Sequence, residues 1–478
     1  MELFWNITYW TITILYSYIA LVVLVTIILE NRNPVKTLAW VTIMILLPVV
    51  GIILYIFFGK NFRRNKIINN KLAYPSLENH FEYPIDEIEH SSVPQRFQKI
   101  SNLLHNNCNS TLYPNNDIEV FATGMTAFDS IFADIENAKK SIHIEFYIIE
   151  NDAVGNKLHD LLIKKAQEGV RVRVIYDFLG GYHLPVTWRK SLRDAGVFIH
   201  PFLEANSLLG FLMINYRNHR KQIIIDGEIG YTGGMNMAER YRHGNRLGNW
   251  RDTFIRIQGP AVHGLQYNFL VDWSFVDGKL ITDLKYYPIP KKFTDKDNLV
   301  QIVASGPDTD WANIKQGILA AIANAQHQIF IHTPYCMPPE SVLIALEIAA
   351  MAGIDVRVMI PERNDSRLVA AAGRSYIEGM LQAGIKVYYY KYNFLHSKAI
   401  VIDNYISIVG TANMDNRSYE QNFEIAAFIY DETTATTLVR NFEKDLTVSR
   451  ELNINVWHHR PKSKKIIESI CRLFSPLL

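Results

Sequence analysis

Cysteine is scarce in this chain. Its 478 residues contain three, Cys108, Cys336 and Cys471, odd in number and far apart. That excludes a disulfide framework and reads as a reduced compartment; the spacing offers no zinc site. Net charge is sparse too. Lys and Arg number 49 against 47 Asp and Glu, leaving +2, which gives no argument for a nucleic-acid partner. Two stretches, residues 3–29 and 37–59, carry no charge at all. Each is long enough to span a hydrocarbon core of ~30 Å as a helix. The first lacks a basic n-region and is too long for an h-region, which argues against a cleaved signal peptide. Such charge-free length also argues against a buried soluble pair.

The connection over residues 30–36, with Asn33-Pro34, predicts a helical hairpin within residues 1–60. Lys60, Arg63, Arg64, Lys66 and Lys71 follow the second segment, whereas the connection holds Arg32 and Lys36. The positive-inside rule then places both the N-terminus and the large remainder in the cytoplasm of a cell with this membrane. Residues 61–116 are polar and read as a connector with one or two short helices.

What the chain has is a repeat. His219-x-Lys221-x4-Asp226-x6-Gly233-x2-Asn236 recurs as His396-x-Lys398-x4-Asp403-x6-Gly410-x2-Asn413. One accidental H-x-K-x4-D in such a chain has odds on the order of a few percent; two copies agreeing also at Gly and Asn exceed accident. Strand residues alternate faces, so His and Lys two apart point the same way. The β-branched run that follows predicts a buried strand, and Asp226-Gly227 and Asp403-Asn404 carry hairpin-turn chemistry. Flanking segments repeat in the same order. Residues 127–140 and 314–326 have helical spacing, 141–149 and 328–332 read as strands, 157–168 and 341–351 as helices, 170–176 and 354–360 as strands. The fold class is α/β, with two duplicated halves over residues 117–282 and 299–450, a linker at 283–298 and a basic tail at 451–478. Strands alternating with helices predict a largely parallel sheet covered on both faces.

Two His–Lys pairs point to displacement at phosphorus in a phosphodiester. One imidazole attacks and forms a phospho-histidine. The other protonates the departing alkoxide and deprotonates the incoming nucleophile; one histidine cannot do both in one step. Two lysines with Asn236 and Asn413 hold the non-bridging oxygens, so the half-sites are expected to meet across a pseudo-twofold. A nucleophilic imidazole needs its other nitrogen held by an acceptor, and both halves offer a carboxylate on a later strand, Asp252 and Glu424. Asp226 and Asp403 belong to the motif, with a turn-stabilising role outranking direct proton transfer. No metal ligands or cofactor site are read from the spacing.

These residues resemble the phospholipase D superfamily. Asn31-Arg32-Asn33-Pro34, Trp40, Phe58-Gly59, Thr333-Pro334-Tyr335, the run from Asn413 to Ser418 and the ending Ser475-Pro476-Leu477-Leu478 are similar to the bacterial cardiolipin synthases of that superfamily. The resemblance implies transfer of a phosphatidyl group between two phosphatidylglycerol molecules, giving cardiolipin and glycerol at the bacterial cell membrane. It also implies His219 as nucleophile and His396 as acid and base. The first copy departs at Gly234, where Ser or Thr is common; this removes one possible hydroxyl contact to phosphate. A hydrolase releasing phosphatidic acid, a nuclease and an inactive membrane scaffold are the competing readings. A nuclease would want a basic groove with stacking aromatics, which the charge balance does not offer. In the tail, Arg460, Lys462, Lys464, Lys465 and Arg472 accompany Ile466, Ile467, Ile470, Leu473 and Phe474 at near-helical spacing. An interfacial helix on anionic lipid and a helix packed on the body both fit that pattern.

Overall fold

A computed structural model of the chain describes residues 1–29, 34–55, 93–204, 216–279, 281–288 and 298–477. Most of the hairpin connection, Phe58-Gly59, the basic residues from Lys60 to Lys71, residues 61–92 of the connector and the middle of the linker lie outside the described residues. The chain divides into two compact units, residues 1–67 and 68–478.

In the first unit one helix runs Glu2–Leu29. Its stretch Phe4–Leu29 is long and apolar enough to cross a membrane. The second apolar stretch is not one helix. It forms Pro34–Leu46 and Pro48–Leu54, broken at Leu47. The cause is Pro48, which has no N–H to donate back into the preceding turn and restricts Leu47 before it. Tyr55 and Met44 are buried there, with the Trp40 and Tyr55 rings 5.5 Å apart.

The second unit carries the repeat. Its first half has β1 (Leu112–Thr123), β2 (Ser141–Phe146), β3 (Arg171–Asp177), β4 (Phe198–Phe202), β5 (Lys221–Ile225), β6 (Ile229–Gly233) and β7 (Trp250–Gln258). The second half has β8 (Asn298–Ser305), β9 (Gln328–His332), β10 (Cys336–Met337), β11 (Asp355–Pro361), β12 (Lys386–Tyr390) and β13 (Phe394–Leu395). After these come β14 (Ala399–Ile402), β15 (Ile406–Gly410), β16 (Met414–Asp415), β17 (Glu424–Tyr430) and β18 (Ser449–Glu451). Among the described residues sixteen of these build one sheet whose path runs β18-β12-β11-β9-β14-β15-β17-β8-β1-β7-β6-β5-β2-β3-β4, with β13 joined to β7 off that path, while β10 and β16 pair separately. The halves join where β1 pairs antiparallel with β8. Reading outward from that seam, the order of strands is the same in both directions, which is the pseudo-twofold.

The largely parallel sheet expected from alternating strands and helices is corrected here. Along the main path of the sheet, among the described residues, only β2–β3–β4 and β9–β11–β12 are parallel. The motif hairpins β5–β6 and β14–β15 insert antiparallel strands between those sets and the seam. Both faces are covered, as expected. On β6, a Cβ at Gly230 would meet Leu265 of the helix Val262–Asp277 at 2.6 Å. The next residue, Tyr231, reaches Asp134 of the helix Gly124–Asn137 on the opposite face. Within the connector, where one or two short helices are expected, Gln95–Cys108 is a helix that buries Phe97, Ile100 and Leu104 in the core of the second half.

Candidate active site

Both motifs begin one step outside the sheet, and their run-in segments are ladder-bonded to the other half. Phe423 N donates to Arg217 O at 2.8 Å and His219 N to Phe423 O at 2.9 Å. In the mirror arrangement β13 pairs parallel with the start of β7, and His396 N donates to Arg251 O at 2.8 Å. Phe423 precedes Glu424 and Arg251 precedes Asp252. The ladder therefore delivers each histidine to the carboxylate of the opposite half. His219 Nδ1 lies 2.9 Å from Glu424 Oε1, and His396 Nδ1 lies 2.7 Å from Asp252 Oδ2. With Nδ1–H donated to the carboxylate, Nε2 is left with its lone pair for chemistry.

The lysines are anchored in matching ways. Lys221 Nζ donates to the His219 carbonyl at 2.8 Å, and Lys398 Nζ to the His396 carbonyl. Lys398 Nζ also lies 2.8 and 3.1 Å from the two nitrogens of the His396 ring. All four side chains are buried, the histidines at 9% and 7% exposure. Burial pushes His219 down to about 4 and His396 well below 6.5; Lys398 beside His396, and Lys221 from the other half, push the same way. Burial likewise lowers Lys221 to about 7 and Lys398 to about 8. The two half-sites thus form one electrostatic centre.

The supporting carboxylates differ. Burial lifts Asp252 to about 7, only partly offset by Lys398 and by the Thr253 N–H. Burial works to raise Glu424 as well, but His219, Lys221 and Thr411 outweigh it and leave it below its usual range. Thr411 Oγ1 donates to Glu424 Oε2, and Asn422 adds a bond at 3.3 Å. In the first copy the matching position is Gly234, where a Cβ would stand 2.1 Å from Asp252 Oδ1. The missing hydroxyl is thus space taken by the carboxylate, and the hydroxyl that is present, on Thr411, is spent on Glu424.

Asp226 and Asp403 stand at the far ends of β5 and β14, seven residues or roughly 23 Å of extended chain from the histidines. Asp226 accepts from the N–H groups of Lys139, Lys140 and Ser141 at 2.7–2.9 Å. Asp403 accepts from those of Gln326, His327 and Gln328 at 2.8–3.1 Å. Each pins the start of β2 or β9 to the motif hairpin, and both aspartates take left-handed φ, 56° and 52°. They hold structure and do not reach the reacting centre. The asparagines part company. Asn236 Nδ2 donates to Tyr241 Oη at 2.6 Å and its Oδ1 accepts from Ile148 N. Asn413 Oδ1 is buried without a hydrogen-bond partner.

Several groups escaped the sequence reading. Tyr147 stands 5.0 Å from the His219 ring, and Tyr241 and Trp250 5.4 and 5.3 Å from that of His396. Behind the histidines, Arg220 pairs with Asp272 and donates to the Glu424 carbonyl at 3.3 Å. Arg251 pairs with Asp445 at 2.9 Å and donates to the Asp252 carbonyl at 2.9 Å. The arginines flanking motif residues were the available signal. Their partners lie on distant helices.

A duplicated α/β fold in which two His–Lys motifs meet at one buried centre defines a protein of the phospholipase D class. Comparison with known proteins agrees and narrows it. The family model described as cardiolipin synthase, PLD-like domain, matches residues 131–262 and 318–446, and one described as phospholipase D-nuclease N-terminal matches residues 19–60. The chain is 41% identical over 471 residues to the major cardiolipin synthase ClsA of Bacillus subtilis, covering 96% of this chain and 97% of that one. It is 38% identical to a cardiolipin synthase of Geobacillus sp. over 475 residues, 98% of this chain and 94% of that one. A phosphatidylserine synthase structure from Haemophilus influenzae shares the fold, with TM-score 0.61 and 15% identity over 80% of this chain and all of that one. The chain belongs to the bacterial cardiolipin synthase family of the phospholipase D superfamily.

Proposed function

We propose that this protein joins two phosphatidylglycerol molecules into cardiolipin and glycerol through a phosphatidyl-histidine. The observation that carries the reading is the crossed pairing of His219 with Glu424 and His396 with Asp252 around two buried lysines. His219 Nε2 attacks phosphorus and the bond to the departing glycerol oxygen breaks. His396, which takes up a proton on Nε2 as the phosphodiester anion settles beside it, gives that oxygen its proton, so free glycerol leaves. His396 then takes the proton from a hydroxyl of a second phosphatidylglycerol, whose oxygen attacks phosphorus while the P–N bond breaks and His219 is regenerated. Lys221, Lys398 and the Nδ2–H group of Asn413 face the oxygens of the phosphoryl group as charge builds on them. Asn236 acts through Tyr241, and Asp226 and Asp403 hold the strands. No step requires a metal or cofactor.

The substrates are then anionic membrane lipids, and the protein resides in the bacterial cell membrane. The helix at Phe4–Leu29 supports one span. The broken apolar stretch after Pro34 supports a second, kinked at Pro48, returning residues 61–478 to the cytoplasmic side where the basic residues lie. An impermeant thiol reagent applied to intact cells tests this: ready labelling of cysteines placed in residues 117–450 would overturn the orientation. The halves at 117–282 and 299–450, joined by 283–298, supply one histidine each.

Transfer, as opposed to hydrolysis, is tested by reconstituting the purified protein with labelled phosphatidylglycerol. Cardiolipin with equimolar glycerol is expected. Phosphatidic acid as the dominant product would make this a hydrolase.

A further inference from the structure

The C-terminal helix Lys462–Arg472 is amphipathic the wrong way round for a helix packed on a protein body. A surface helix normally turns its apolar stripe inward and its charges to water. Here the inward face is ionic. Glu468 is 4% exposed and bridges Arg374 and Arg460, both at 2.9 Å. Lys465 pairs with Glu378 at 3.2 Å, and the Arg472 guanidinium lies over the Tyr376 ring at 4.3 Å. These partners sit on or beside the helix Arg367–Gln382. The opposite face carries Ile466, Ile467, Ile470, Leu473 and Phe474, each between 48% and 76% exposed. At about 100° per residue they form one stripe roughly 120° wide.

We infer that this outward stripe is a docking surface for an anionic lipid bilayer, and that it holds the segment following Asn413 near the headgroup level. An exposed apolar patch of several hundred Å² marks an interaction site. Two observations choose lipid over protein as its occupant. Lys462 and Lys464 are exposed in the first turn of the same helix, the arrangement in which cations meet anionic headgroups while apolar side chains enter the acyl boundary. The end of the helix is also continuous with the site wall. Pro476 O accepts from Gln421 Nε2 at 2.9 Å, and Gln421 caps the short helix Asn416–Glu420 that follows Asn413. A bilayer seated on the stripe therefore holds the segment following Asn413 near its phosphates. The inference rests on the lipid substrate proposed above, although its principal readout needs no turnover.

The test uses the full chain in vesicles of phosphatidylcholine with phosphatidylglycerol, doped with a lipid bearing a photoactivated carbene on its acyl chain. Adducts mapped by mass spectrometry are expected on residues 466–474 as well as on residues 4–29, and fewer in pure phosphatidylcholine. Labelling of 4–29 with none on 466–474 overturns the inference, as does a chemical cross-link joining this stripe to a second copy. The variant Ile466→Glu/Ile470→Glu alters exposed residues and leaves the fold intact. Its turnover on vesicles should fall roughly tenfold through lost apolar burial, with detergent-dispersed turnover unchanged. Equal turnover of variant and wild type on vesicles would count against lipid docking. A protein inactive on phosphatidylglycerol but labelled at 466–474 would fail the proposed reaction and keep the docking surface.

Discussion

His219 Nδ1 sits 2.9 Å from Glu424 Oε1, across the seam between the two halves. Neither half supplies the carboxylate that its own histidine pairs with, so the proposed mechanism requires both. The two crossings are unequal in charge. Glu424 is held ionised by His219, Lys221 and Thr411, whereas burial carries Asp252 up to about 7. Removing the charge should therefore hurt more at Glu424. Glu424→Gln is expected to lower kcat by roughly ten-thousandfold, the scale seen when a carboxylate orienting a catalytic histidine becomes an amide. Asp252→Asn should cost on the order of tenfold less. Steady-state kinetics on mixed micelles decides; equal losses would mean both carboxylates work alike.

In the proposed mechanism the same asymmetry favours His219 for the covalent step. An imidazole backed by a firmly ionised carboxylate is the better nucleophile, and that is His219. Rapid acid quench of the wild type with phosphatidylglycerol should trap a phosphatidyl adduct, located on His219 by peptide mass spectrometry. An adduct on His396 would reverse the roles. His219→Ala and His396→Ala are each expected to remove nearly all turnover, because the two steps cannot share one imidazole.

The histidines, lysines and candidate carboxylates were legible because the repeat doubles every signal, and the strand and helix order followed from periodicity. The crossing was not legible. It depends on the ladder contacts of Phe423 with Arg217 and His219 and of His396 with Arg251, between residues 145 or more apart in sequence. Asp226 and Asp403 carry hairpin-turn chemistry, and each accepts backbone N–H groups at the far end of its strand. The two asparagines look identical in sequence and differ in use, because Tyr241 lies within reach of Asn236. The second apolar stretch reads as continuous by hydropathy, and only Pro48 gave away its break.

The pH dependence follows from the shifts. His219 must be neutral to attack, and its value near 4 keeps it so down to that pH. The site must hold positive charge to draw in a phosphodiester anion, and Lys221 and Lys398 lose theirs at about 7 and 8 as pH rises. A plot of kcat/KM against pH reports the free protein. It should fall on the acid side near 4 and on the alkaline side between about 7 and 8. An alkaline limb near the ordinary lysine value of 10.5 would show that the lysines are not desolvated as the buried centre requires.

Gly234 is where the first copy departs from its repeat, and the departure has a geometric cause. A Cβ there would lie 2.1 Å from Asp252 Oδ1 and 2.7 Å from Asp252 Cγ, closer than real contacts come. The aspartate must swing aside in Gly234→Ala, and His396 Nδ1 then loses its acceptor. Turnover is expected to fall about a hundredfold, the scale of general acid–base assistance. The matching substitution in the other half, Thr411→Ala, removes a hydrogen bond to Glu424 and another from the Ile425 N–H at 3.0 Å, and leaves the carboxylate in place. Its cost should be nearer fivefold, the equivalent of about 1 kcal/mol. A double-mutant cycle separates the proposed route from general disruption. If Gly234→Ala acts by displacing Asp252, then in the Asp252→Asn background it should add little, because the orienting charge is already gone. Additive losses would place the effect of Gly234 elsewhere in the site.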